Sequence, residues 1–264
     1  MGGVDISRAR ILWPREHGTY GELLFPLLSS LLLAQPGHAA WGLSLLAAGG
    51  FLAHEGFSVL AGTRGVRAQR TGRPAAWRSV ALFGGAALFG AVWAAPSLTP
   101  AILTAAGGAA ALSATSVALT WFGREHTLEG ELIAALTLTS WCVPVAVAGG
   151  MAVSVATAIW VIWTGVFGVA TCAVHLVIAR STRRPVGLAM SLGWLLAVAT
   201  PAVVWLFARA GHVPDLALAI PLPALVTFVA LASAPVRATH LRQIGWSVIG
   251  VSGLTLALMA VAIR

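Results

Sequence analysis

Charge is scarce in this chain. Only 9% of its 264 residues are charged, where a soluble domain of ordinary composition carries about 25%. Lysine is absent altogether, so the basic side chains are sixteen arginines set against eight acids. A water-soluble enzyme is excluded by that poverty, and the arginines sit between apolar stretches, which removes the nucleic-acid reading that a basic protein otherwise invites. Cysteine is nearly missing as well. Cys142 and Cys172 both lie inside apolar runs, where a small buried thiol is the ordinary case, and two residues make no disulfide scaffold. There is also no H-E-x-x-H, no C-x-x-C and no pair of aspartates, so no transition-metal motif is written in the sequence.

Apolar residues are what the chain has in plenty: 58% of the total, with a mean hydropathy of +0.89. They fall in nine runs, roughly 18–35, 41–62, 79–95, 100–121, 131–150, 156–179, 186–209, 216–234 and 247–263. Runs near 20 residues match a hydrocarbon core of about 30 Å. The expected fold is therefore an all-α polytopic membrane helical bundle, a single transmembrane domain over residues 1–264. The first run is not read as a cleavable leader, because Glu16, His17, Glu22 and Pro26 interrupt its apolar stretch. Pairs of Gly and Ala, such as Gly84–Gly85 and Gly107–Gly108, suit close helix approach.

The connections alternate between bare and basic. Fourteen of the sixteen arginines fall at the N-terminus and in every second connection, leaving only Arg209 and Arg264 for the other side. By the positive-inside rule this bias predicts a cytoplasmic N-terminus and, with nine spans, an external C-terminus. Trp13, Trp77, Trp121 and Trp246 at the inner ends, with Trp41, Trp93 and Trp205 near the outer ends, read as interfacial belts.

The remaining polar residues cluster at the same end. Glu16, Glu22, Glu55, Glu125, Glu129 and Glu131 lie in the cytoplasmic half, accompanied by His17, His54, His126 and His175. Glu55 stands seven residues before Gly62, which puts it roughly 10 Å below the inner edge of its helix. A carboxylate at that depth cannot snorkel, so it needs either its own proton or a cation or donor nearby. His175 precedes Arg180 by five residues, at a depth of about 7 Å. These two helices are expected to face one cytoplasm-open cavity, with His54 and Glu55 as acid and base candidates and His175 opposite. The plainer alternative is that both side chains bond neighbouring helices. His54, Glu55, His126, Glu129 and His175 are metal ligands by type, but their spacing gives little support; Gly123 and Gly130 bracket the His126 to Glu129 segment and point to a loop.

The run Arg64-Gly-Val-Arg67-Ala-Gln-Arg70-Thr-Gly-Arg73-Pro74 is open to two readings. It is a topology signal that binds anionic headgroups, or a loop whose guanidinium forks close over a phosphate.

Two resemblances rest on particular residues. The opening Trp13-Pro-Arg-Glu-His-Gly-Thr-Tyr-Gly-Glu-Leu-Leu-Phe-Pro26, with His17-Gly18 ahead of a proline-containing first span, resembles the start of the YwiC-like family of bacterial membrane proteins. That resemblance implies a multi-pass protein of the bacterial cytoplasmic membrane. More remotely, Arg70-Thr-Gly-Arg73-Pro74, and Trp121-Phe-Gly-Arg124 followed by Gly130, resemble segments of the UbiA superfamily of intramembrane prenyltransferases. The UbiA-like architecture has nine helices and a cavity closed by the second-to-third and sixth-to-seventh connections. Its members hold Mg²⁺ with two aspartate-rich motifs. Here the first motif's place is 54–62, with Glu55 as its one carboxylate, and the second's, 175–185, has Arg180, Arg183 and Arg184 and no carboxylate. Such a donor set disfavours Mg²⁺ and leaves the cofactor unknown.

From these residues the expected function is a UbiA-like, cytoplasm-open cavity for an anionic amphipathic ligand, isoprenoid-like or lipid-like. The head would lie against Arg15, His17, Arg70, Arg73, Arg124 and Arg180. A divergent prenyltransferase-like reaction is one extension of that reading. The alternatives are a small proton-coupled transporter that titrates Glu55, and a non-catalytic accessory membrane subunit.

Overall fold

A computed structural model describes residues 11–14, 17–234 and 238–263. Arg15 therefore lies outside the described residues, and of His17 only the backbone is described. The described residues form helices and turns throughout. In chain order the α-helices are α1 (His17–Leu33), α2 (His38–Leu60), α3 (Val66–Ser79), α4 (Gly85–Ala94), α5 (Pro100–Trp121) and α6 (Leu128–Ser140). They continue with α7 (Cys142–Ala148), α8 (Val153–Ser181), α9 (Gly187–Arg209), α10 (Leu222–Ser233) and α11 (Leu241–Ala262).

Several of these join end to end. α3 runs through a π-helical turn, Val80–Gly84, into α4, giving one rod from Val66 to Ser97. α6 and α7 make a second, Leu128–Ala148, bent at Trp141 where Pro144 cannot donate to the carbonyl four residues back. The Ser30 hydroxyl donates to the Cys142 carbonyl at 2.9 Å beside this bend. A 3-10 turn, Asp215–Ala219, leads into α10. Eight rods among the described residues are long and apolar enough to cross a membrane, and the shorter apolar segment Gly18–Leu33 lies beside them. The chain is a polytopic helical membrane protein.

The arginine run departs from the loop that one of its two readings required. Residues Val66–Ser79 are helical, so the third rod begins at Val66 and not near Ser79. Val-Arg-Ala-Gln-Arg and Ala75-Ala76-Trp77-Arg78 are helix formers, and Pro74 removes one backbone bond from an exposed face where water can meet the freed carbonyl of Arg70.

α8 is the most buried rod and forms the axis of the bundle. It packs against α9, α6, α7 and α10. Around it Trp163 stacks between Phe25 of α1 and Phe167, with centroids 5.8 and 5.6 Å apart, and its indole donates to the Ser29 hydroxyl at 2.8 Å. α2 and α4 approach closely where side chains are missing. A Cβ at Gly49 would stand 2.7 Å from the Phe83 carbonyl oxygen, and one at Gly42 2.6 Å from that of Gly90.

Candidate functional site

Two helix ends at the arginine-rich face build the site. α2 stops at a glycine: Gly62 has φ +82°, its N–H reaches the Val59 carbonyl at 3.2 Å, and Thr63 N–H reaches that of Ser58 at 3.1 Å. This pair of bonds is the Schellman ending, which turns the chain sharply back over the helix it leaves. Gln69 adds a third closure, donating to the Leu60 carbonyl at 2.8 Å. α5 ends the same way, with Gly123 at φ +67°, its N–H on Thr120 and that of Arg124 on Leu119. Thr127 then caps α6 by accepting from Gly130 N–H at 3.1 Å. Gly130 cannot be replaced there, because its Cβ would collide with the Arg124 carbonyl.

The two turns bring Arg64 and Glu125 together over α2. Arg64 Nη2 lies 2.8 Å from Glu55 Oε2, and Arg64 Nη1 lies 2.7 Å from Glu125 Oε1. Glu55 is buried, at 7% exposure. The guanidinium is the nearby cation its depth demands. His126 Nε2 stands 3.4 Å from the same Glu125 oxygen, and His54 Nε2 lies 3.4 Å from the Ser58 hydroxyl one turn along α2. On the other side, His175 Nε2 of α8 meets Glu131 Oε2 of α6 at 2.9 Å. Glu129 and Glu131 occupy the first turn of α6, where the helix dipole favours a carboxylate.

Below this polar layer is a cavity of about 1360 Å³ between α1, α2, α5, α6, α8 and α11. It reaches from Glu22, Glu55, Arg64, Glu125, Glu131 and Arg242 at the arginine-rich end to Leu28, Leu46, Leu138 and Trp141. Glu131 and Trp141 are ten residues apart on one rod, a depth of about 15 Å. The Trp141 indole donates to the Ser113 hydroxyl at 3.2 Å, fixing the ring that closes the deep end. Tyr20 sits at the opposite end, donating to the Pro14 carbonyl at 3.1 Å and meeting Phe51 edge-on at 5.2 Å. Gly50 leaves a gap in the α2 wall, since a Cβ there would meet nothing within 4 Å.

The expected site residues divide accordingly. His54 and Glu55 line the cavity, and His175 reaches its wall through Glu131. Arg70, Arg73 and Arg124 are exposed and stand outside the lining. Arg180 is used elsewhere: its fork donates to the Leu231, Ala232 and Ala234 carbonyls at the end of α10, at 2.5 to 3.0 Å. Arg15 and the His17 side chain fall outside what is described. Sequence reasoning passed over Arg64 as a site residue. Its signal was position: it is the first cation after the glycine that ends the helix carrying Glu55. Among the described residues no three His, Cys, Asp or Glu side chains gather as a metal would require.

A family model described as YwiC-like protein matches residues 13–147, just over half of the chain. The chain belongs to the YwiC-like family. The matched region carries Glu22, His54, Glu55, Arg64, Glu125, His126 and Glu131, so the polar end of the cavity falls almost wholly within the YwiC-like portion. No curated protein and no solved structure matches the chain, and the remote resemblance to the UbiA superfamily gains no support from these comparisons.

Proposed function

We propose that this YwiC-like protein is a multi-pass protein of the bacterial cytoplasmic membrane that binds an amphipathic, lipid-like molecule in the cavity, head toward the cytoplasm. The carrying observation is the cavity's polarity gradient: acidic and basic side chains at one end, aliphatic and aromatic walls toward the other. Its volume suits a ligand with a long apolar body. The arginine bias supports the cytoplasmic orientation of the polar end.

The lining revises the expected head. Among the described residues it holds four carboxylates, Glu22, Glu55, Glu125 and Glu131, against the two guanidiniums of Arg64 and Arg242. Arg64 already serves two of those carboxylates. A head that donates hydrogen bonds fits the carboxylate oxygens of this end. Binding is the activity assigned, and in this state His54, Glu55 and His175 each engage a neighbouring side chain of the protein.

The test is native mass spectrometry of protein extracted in mild detergent, comparing the wild type with Gly50→Phe. Gly50 lines the cavity and a Cβ there meets nothing within 4 Å, so the larger side chain is expected to take up cavity volume at little cost to helix packing. A molecule retained by the wild type and lost from the variant supports the reading. Equal occupancy in both, or an empty wild type, overturns it.

A further inference from the structure

We propose that the outward face of α3 docks on the anionic phospholipid headgroups of the membrane that holds the protein. This inference is independent of the cavity and gives Arg70 and Arg73, expected at a substrate, a different partner. The rod from Val66 to Ser97 is 32 residues long. At about 1.5 Å per residue it spans roughly 48 Å, well beyond a hydrocarbon core of about 30 Å. Its first turns must therefore stand in the headgroup layer.

The sequence of those turns fits the layer. α3 carries Arg67, Arg70, Arg73 and Arg78 and no acid. All four arginines are exposed, together with Trp77. At about 100° per residue they fall within an arc of roughly 140°, with Trp77 inside it. The opposite face is fixed against α2, where Ala76 and Ser79 are buried and a Cβ at Gly56 would stand 2.9 Å from the Ala76 carbonyl oxygen. The helix cannot roll to bring its arginines to the cavity. None of the four makes an ion pair or side-chain hydrogen bond with a described residue, although Arg64, just ahead of the helix, takes two carboxylates. Four unpaired guanidinium forks beside an interfacial indole are complementary to a layer of phosphodiesters.

The experiment titrates purified full-length protein with phosphatidylglycerol or phosphatidylcholine and counts bound lipid by native mass spectrometry. The wild type is expected to prefer phosphatidylglycerol. The combined variant Arg67→Gln, Arg70→Gln, Arg73→Gln, Arg78→Gln is expected to lose that preference by about tenfold or more. The single variant Arg70→Gln is read in parallel, so that poor folding of the combined variant does not end the test, and a partial loss is expected there. Arg183→Gln with Arg184→Gln, on a different connection, is expected to retain most of the preference. Equal binding of the two lipids by the wild type overturns the proposal, as does an unchanged preference in the Arg70 variant. Displacement by soluble polyglutamate without any lipid preference would assign the face to an acidic protein partner and overturn it too.

Discussion

Arg64 and Glu55 meet at 2.8 Å across the glycine turn that separates α2 from α3. The contact places a cation beside a carboxylate that is 7% exposed, and the same guanidinium extends to Glu125 on the far turn. One side chain thus ties together two helix ends that are 61 residues apart in the chain.

Removing that tie has a measurable cost. Arg64→Ala leaves Glu55 buried without its partner, a loss of about 3 to 5 kcal/mol for a fully buried pair, reduced here to about 2 kcal/mol because Arg64 is partly solvated. Thermal unfolding in detergent checks this. In a Glu55→Gln background the same substitution is expected to cost clearly less, and strict additivity of the two changes would contradict the coupling.

Adjacent glycines on α2 are expected to respond oppositely. Gly49→Ala forces a methyl group against the Phe83 carbonyl and the Ala87 backbone, a strain of about 1 to 3 kcal/mol. Gly50→Ala meets open space and gains helix propensity, so its melting temperature stays level or rises. Similar behaviour of the two variants would refute the close α2–α4 approach.

Arg180 is a structural residue in this reading. Arg180→Met removes the donors that satisfy three carbonyls at the end of α10, and a loss of about 2 kcal/mol follows from charged hydrogen bonds of this kind. Arg180→Lys is expected to recover only part, because an ammonium lacks the planar fork. Full recovery with lysine would show that charge alone matters.

Orientation can be tested with thiol reagents that do not cross membranes. Cys142 and Cys172 are buried and are expected to stay silent in the intact bundle. A cysteine at exposed Thr71 or Thr182 is expected to label only after the cells are opened, and one at exposed Ser97 in intact cells. Labelling of Thr71→Cys from outside would invert the topology.

The helical spans were legible because bilayer thickness imposes one length on every crossing, and the period of bare and basic connections repeats that constraint. Glu55 and His54 were legible for a related reason: an ionisable group inside an apolar run stands out against its neighbours. What could not be read was direction. Arg64 reaches Glu55 because Gly62 and Gly65 adopt positive φ and reverse the chain, and no spacing rule for helices joins residues nine apart. Arg70, six residues farther on, resembles Arg64 in type and turns away, because α3 is already a helix with its small residues packed on α2. The deeper walls were hidden as well, since Trp141, Phe167 and Ile249 are ordinary apolar residues until the bundle closes around them.

The contact between α1 and α11 also joins two walls of the cavity that are far apart in the chain. Two helices separated by about 200 residues, Leu33 to Leu241, rest on one another, and both border the same hollow. Without α11 that hollow has a side open to lipid, so a chain cut short of Leu241 is expected to lose the enclosure on which retention of a ligand depends.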